Sequence, residues 1–308
     1  MSAGESSLAG QVAIITGAGK GIGRALADRL SAEGVHLGLM ARTKSDIDIA
    51  CAAAQANGVS TIGGAFDVVD WRAVEDFVAE VQRKLGPVDL LINNAATSAS
   101  WSGEKLWEAD PDGWWSCIET NLRGPMLFAR AVLPSMVARG SGRIVAMNSL
   151  AGVMPLPMTD GAYTVSKSAL FRLTDQLASQ LVDTGVVALD LSPGIVRTHA
   201  TDNPAIPAAA WTPIERICDL VVAVAEGRLD GYDGRFIHAV DDLDEMLTRV
   251  EECVANDGRV LRMREAWPGD PRARPLGALL DTALGQVGNG PIRQGRPSSL
   301  AGPDSVRR

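Results

Sequence analysis

Cysteine is scarce in this chain of 308 residues: Cys51, Cys117, Cys218 and Cys253 stand far apart, and no CxxC pair occurs. That spacing offers neither a zinc site nor a disulfide framework. No metal is therefore expected, and the thiols read as buried ones in a reducing, cytoplasmic setting. The N-terminal Met-Ser-Ala-Gly-Glu-Ser-Ser lacks a basic region followed by an apolar run, so no signal peptide is read. No stretch reaches the ~18 apolar residues a membrane span needs, and no membrane partner is expected. Positive charge is short as well. A net charge of −8 argues against general affinity for nucleic acid. The balance is uneven: nine Arg against four acids from Arg259 onward give +5, which leaves −13 for residues 1–258.

Apolar residues are plentiful, at 46% of the chain, enough for one large α/β domain with a well-buried core. Residues 12–16 (VAIIT) are a short β-branched run followed at once by glycines, and Ile22, Ala25, Leu26 and Leu30 then recur at helical spacing up to Gly34. Further strands are expected at 35–40, around 60–66, at 88–92, 143–147 and 186–191, with a seventh at 236–240. Ser45 with Asp48 suggests a capping pair for a helix ending near Asn57. Val74, Phe77, Val78, Val81 and Leu85 form one stripe over 70–85, stopped by Gly86-Pro87. Long helical segments are expected at 111–139 and 161–184. Strands alternating with helices imply right-handed crossovers, hence a single Rossmann-like, doubly wound parallel sheet of about seven strands with helices on both faces.

From 268 to 303 the pattern dissolves, with six Pro and seven Gly in those 36 positions. The expected domain therefore spans residues 8–255. Residues 256–308 read as a C-terminal extension, largely flexible or loosely docked.

The turn Thr16-Gly17-Ala18-Gly19-Lys20-Gly21-Ile22-Gly23 sits between a predicted strand and a predicted helix. In that context Gly17, Gly19, Gly21 and Gly23 let backbone approach a dinucleotide pyrophosphate, and the helix N-terminus faces its charge, with Ile22 in the first turn. NAD sites usually end the second strand with an acid that bonds the ribose 2′-hydroxyl. Ala41-Arg42 stands there instead, and Lys20 lies in the turn, so two cations favour NADP(H), with NAD(H) possible. Asp67, followed by Val68, ends the third strand and suits the adenine, although Asp67 could equally cap the next helix. Tyr163 and Lys167 lie four residues apart on a predicted helix, fourteen residues after Ser149. They share a face, and a cation near a phenol favours the phenolate, drawing its pKa towards the range useful for proton transfer.

Four segments occur in order: the glycine turn, Asn93-Asn94-Ala95-Ala96, Asn148-Ser149-Leu150-Ala151-Gly152, and Tyr163-Thr164-Val165-Ser166-Lys167. From about residue 8 to residue 245 the chain resembles the short-chain dehydrogenase/reductase family. The resemblance implies that Tyr163 is the general acid in reduction and the base in oxidation, while Ser149 bonds the reacting oxygen. It implies that Lys167 holds the nicotinamide ribose and that Asn121 positions a water leading from Lys167 to solvent. Asn94 and Ala95 would run beside the adenosine ribose. Pro193, Gly194, Ile195 and Thr198 would meet the carboxamide and diphosphate, and residues 198–212 would form a lid. Departures are the two prolines of the loop after Ser149 and Asp241-Asp242-Leu243, where Asp-Gly-Gly is frequent.

The reading is thus an oxidoreductase interconverting a carbonyl and a secondary alcohol, acting on a small-molecule substrate as a homodimer or homotetramer. The alternative is a non-catalytic NADP(H)-binding sensor or scaffold, which would have no need of a proton relay. Trp101, Met154, Leu156, Met158, Ile206 and Trp211 are expected to wall an apolar pocket, whereas core packing accounts more simply for Trp107, Trp114 and Trp115.

Overall fold

Val12–Thr16 forms the first strand, β1, and every one of its five side chains is buried, as a central parallel strand covered on both faces requires. The computed structural model describes residues 7–97, 105–154, 161–198, 201–202 and 206–261. After β1 come helix α1 (Gly21–Ala32), β2 (His36–Ala41), α2 (Lys44–Ala56), β3 (Thr61–Ala65), α3 (Trp71–Leu85) and β4 (Leu90–Asn93). Then follow α4 (Pro111–Ile118), α5 (Gly124–Arg139), β5 (Gly142–Met147), α6 (Gly161–Gln180), β6 (Val186–Ser192), α7 (Ile214–Ala225), β7 (Phe236–His238), α8 (Leu243–Thr248) and α9 (Val250–Ala255). All seven strands pair in parallel, in the order β3-β2-β1-β4-β5-β6-β7. The order reverses direction between β1 and β4. Ligands of such sheets bind in the crevice that opens there, beyond the carboxyl ends of the strands.

Alternation along the strands builds two cores. Ala13 and Ile15 of β1 join Leu90, Ile92, Val145 and Leu189 on the face covered by Leu26 and Leu30 of α1, Ile47 and Ala50 of α2, and Ile217 and Val221 of α7. Val12 and Ile14 point the other way, to Val78 and Val81 of α3, Phe128 and Val132 of α5, and Leu177 and Ala178 of α6. Phe77 and Phe128 meet there edge to face, with centroids 6.5 Å apart. Helices therefore cover both faces, as the alternation predicted.

Local details differ in three places. Asp70, not Asp67, caps α3, accepting from the N–H groups of Arg72 and Ala73, a cap worth about 1 kcal/mol. Thr43 precedes α2 and Ser45 lies inside its first turn, so the expected Ser45–Asp48 capping pair does not form; Asp48 pairs with Lys44 instead. The helix expected over 111–139 is interrupted by a π-helical turn, Glu119–Arg123. Such turns insert one residue into a helix and re-aim a side chain, here Asn121.

The described chain ends at residue 261. Residues up to there stay attached: Phe236 N–H donates to the Arg259 carbonyl at 3.0 Å, and Arg172 reaches the Leu261 carbonyl at 2.8 Å. The expectations for residues 262–308, and for Trp101, Leu156 and Met158, lie outside the described residues.

Candidate active site

The end of β1 and the end of β4 are stitched together by side chains. The Thr16 hydroxyl, buried, accepts from the N–H groups of Asn94 and Ala95 at 2.9 Å each, and Asn94 Nδ2 donates back to the Thr16 carbonyl at 2.9 Å. Glycine is required at this junction. A Cβ on Gly17, whose φ is +65°, would sit 2.9 Å from Ala95 Cα, and one on Gly23 would sit 2.6 Å from Asn94 Nδ2. The first turn of α1, from Gly21 through Ile22 to Gly23, therefore opens onto the crevice with backbone N–H groups that have no helix partner. Thr198 lies over the same turn, its methyl 3.3 Å from where a Gly21 Cβ would be. A bare backbone cradle at a helix N-terminus fits an anionic dinucleotide.

At the adenosine end the charges differ from the expected pair of cations. Lys20 is matched by Asp46, at 3.0 Å, from the first turn of α2. A carboxylate thus stands close to this position after all. Because the Lys20–Asp46 pair carries no net charge, Arg42 remains as the exposed cation after β2, with no ion pair among the described residues. Asp67 is exposed and spends Oδ1 on the Val69 N–H at 3.1 Å. Val68 is buried against Gly124 at the start of α5. Pro193, Gly194 and Ile195 follow β6, and the Ile195 carbonyl is tied to the Thr212 N–H at 2.8 Å.

The chemical groups gather around α6. Lys167 is only 3% exposed, its Nζ donates to the Met147 carbonyl at 2.7 Å, and it lies 5.6 Å from the centroid of the Tyr163 ring. Burial pulls the Lys167 ammonium down to about 8, a shift opposed first by the charge of Asp190 and then by Cys117. The chain has two tyrosines. Tyr232 is buried and its hydroxyl donates a hydrogen bond to the Met246 carbonyl at 2.7 Å, which leaves half-buried Tyr163 as the phenol of the site. Ser149 ends the β5 segment; its Oγ accepts from the Ala151 N–H at 3.2 Å, and the short turn it caps, Leu150–Gly152, packs on the backbone of Lys167.

Asn121 occupies the π turn and is buried. Its Oδ1 accepts from the Thr97 N–H, and its Nδ2 donates to the Thr97 carbonyl and to Ser166 Oγ, at 2.8, 2.8 and 2.9 Å. Ser166 Oγ in turn donates to the Tyr163 carbonyl at 2.7 Å. Asn121 thus ties the segment after β4 to the helix bearing Tyr163, and its side-chain link to α6 runs through Ser166 and not Lys167. Thr16, Asp46, Ser166, Asn148 and Asp190 were not singled out from the sequence. Of these, Thr16, Asn148 and Ser166 lie inside the quoted motif segments, whereas Asp46 and Asp190 had no local signal.

The tryptophans correct another expectation. Trp107 is 79% and Trp115 59% exposed, so neither packs in a core; Trp114 is half-buried and stacks on Trp115 with centroids 5.9 Å apart. Of the expected pocket residues, Met154 is exposed and Ile206 and Trp211 are half-buried, with Arg197 stacked over the Trp211 ring at 4.9 Å. Among the described residues, no group of three or more His, Cys, Asp or Glu side chains could hold a metal ion, and no helix is long and apolar enough to cross a membrane.

Comparison with known proteins adds independent findings. A family model described as short chain dehydrogenase matches residues 11–205. A short chain dehydrogenase of Pseudocercospora fijiensis (strain CIRAD86) is 32% identical over 268 residues, covering 80% of this chain and 86% of that protein. The structure of L-sorbose reductase from Gluconobacter frateurii, complexed with NADPH and L-sorbose, matches with a TM-score of 0.69 at 27% identity, covering 76% of this chain and 96% of that one. NAD+-bound xylitol dehydrogenase matches with a TM-score of 0.69 at 25% identity, covering 76% and 98%.

Proposed function

The chain belongs to the short-chain dehydrogenase/reductase family, and on that premise we propose that it interconverts a carbonyl and a secondary alcohol, with NADP(H) as the preferred cofactor. When bound, the nicotinamide supplies or accepts the hydride. The Gly17–Gly23 turn and the N-terminus of α1 hold the diphosphate, with Thr198 over it. Asn94 and Ala95 line the adenosine side, and Asp67 and Val68 flank the adenine. Arg42 binds the 2′-phosphate, a role supported by its freedom from ion pairs among the described residues.

In reduction, Tyr163 gives its phenolic proton to the substrate oxygen while Ser149 donates a hydrogen bond to the same atom; in oxidation Tyr163 takes the proton back. Lys167 stabilises the phenolate left behind. Asn121 keeps α6 and the segment after β4 in register, so that phenol and cofactor cradle stay aligned. One observation carries this reading: a buried ammonium one helical turn from the Tyr163 phenol, 5.6 Å from its ring, with its Nζ held at the carboxyl end of β5.

The test is steady-state turnover of a panel of ketones and aldehydes with NADPH and with NADH. Reduction with NADPH, at a higher kcat/KM than with NADH, is expected. Equal efficiency with both would remove the cofactor preference, and no turnover with either would favour the non-catalytic sensor.

A further inference from the structure

We propose that Asp190 is a positioning residue for the reaction proposed above, on which this inference rests: it orients Ser149 through Asn148 and holds the charge on Lys167. Asp190 is fully buried in β6, a strand whose seven residues are all buried. Val187, Leu189 and Leu191 of that strand face α1 and α7, while Val186 and Ala188 face α6. Alternation therefore turns Asp190 towards α6, the helix that carries Lys167. An acid buried at such a place is costly unless its oxygens are used. Oδ1 accepts from Asn148 Nδ2 at 2.7 Å, and the Thr174 side chain on α6 also favours the charged carboxyl.

The consequence for Ser149 is geometric. Asp190 lies opposite Ala146 in the β5–β6 register, so Asn148, two residues on, is its diagonal neighbour on the same face. Asn148 gives an N–H of its side-chain amide to Asp190 and so turns its amide oxygen away from it. That oxygen accepts from the Ser149 N–H at 2.8 Å. Asn148 is pinned a third time by its own N–H, which donates to the Leu191 carbonyl at 2.7 Å. The backbone at Ser149, and with it the direction of the hydroxyl, is thus set from β6.

The consequence for Lys167 is electrostatic. Among the described residues its hydrogen bond is to the neutral Met147 carbonyl. The titratable groups that bear on the Asp190–Lys167 pair are Tyr163 and Asp175 on α6 itself, Cys117 on α4, and Asp190 on β6. Burial pulls Lys167 down and pushes Asp190 up, and each charge opposes the other's shift. Once ionised, Asp190 is the carboxylate among these whose charge favours the protonated Lys167.

Only five lysines occur in the chain, so lysine labelled with 13C at Cε allows the Lys167 titration to be followed by NMR, its signal identified by loss in Lys167→Arg. Asp190→Asn keeps an acceptor for Asn148 and removes the charge; Asp190→Ser is a smaller neutral replacement. In folded Asp190→Asn, Lys167 is expected to lose its proton on the order of one pH unit lower than in the unsubstituted protein. The alkaline fall of kcat for carbonyl reduction should move with it, while KM for the cofactor stays unchanged. A Lys167 titration and alkaline limb that coincide with those of the unsubstituted protein, with kcat merely scaled down, would overturn the proposal. If neither variant folds, the unsubstituted protein decides: because Asp190 ionises over the same range, its Lys167 signal must depart from a one-proton titration curve, and a curve that one proton fits overturns the coupling. Absence of any carbonyl turnover in the unsubstituted protein would sink the reductase reading separately, while the lysine titration would still judge Asp190.

Discussion

At the scale of single residues, the motif side chains were legible because their meaning is local. Tyr163 and Lys167 share a helix face by virtue of four-residue spacing alone, and the structure places Nζ 5.6 Å from the ring. The partners of those residues were not legible. Asp190 and Asn148 are 42 positions apart, and Asp46 meets Lys20 across 26. Such pairs exist only once strand register and helix packing are fixed, and nothing in the local pattern marks an Asp within a strand as a partner of a distant Asn. The residue-scale prediction follows from the adenosine end. Because Lys20 is already matched by Asp46, the proposed preference for a 2′-phosphate rests on Arg42. Arg42→Asp should reverse the ratio of kcat/KM for NADPH over NADH, with a loss on the NADPH side of at least ~10-fold, about 1.4 kcal/mol. Lys20→Ala should change that ratio less. Cofactor titrations of both variants check it, and a larger effect from Lys20→Ala would show that the Asp46 pair opens on binding.

Among elements, strands were placed well because a strand buried on both faces reads as an apolar run, as Val12–Ile15 and Val186–Leu189 do. The interruption at Glu119–Arg123 was hidden, since a single π turn leaves the apolar period on either side nearly unchanged. The tryptophans were misjudged for a related reason: composition says that such side chains tend to be buried, but helix α4 presents Trp115 outward. The β1–α1 turn gives the element-scale prediction. Gly23→Ala drives a methyl into the Gly17 carbonyl and places it 2.6 Å from Asn94 Nδ2, which should distort the glycine turn and separate the ends of β1 and β4. Cofactor affinity should fall by at least ~10-fold, while the two cores, which Gly23 does not help to fill, keep the thermal melt cooperative. Unchanged affinity in a folded variant would show that the crevice accommodates the methyl.

On the scale of the whole molecule, the buried pair makes stability depend on pH in a direction that can be worked out. Burial pushes the Asp190 carboxyl up to about 8 from its ordinary 3.8, so between those values the folded chain holds a proton that the unfolded chain has lost. Stability therefore falls as pH rises through that window. Burial pulls Lys167 down to about 8 from 10.5, so above about 8 the unfolded chain holds the extra proton and stability recovers as pH rises. The expected profile has a dip near pH 8. Asp190→Asn lacks the descending limb, so its denaturation midpoint, compared with that of the unsubstituted protein, should gain steadily from pH 5 to pH 8. A constant difference across that range would mean that Asp190 titrates as an ordinary carboxylate. The sheet order and the two-sided covering by helices follow from strand–helix alternation, which is a property of the whole sequence and was legible there.

The central claim is that Tyr163 delivers the proton that accompanies hydride transfer. Tyr163→Phe removes that proton and little else, since the ring still packs against Lys167. The most direct measurement is kcat for carbonyl reduction by Tyr163→Phe, taken alongside its cofactor dissociation constant. The account predicts a fall in kcat of at least ~100-fold with cofactor binding essentially unchanged. Turnover within a few-fold of the unsubstituted enzyme would contradict it.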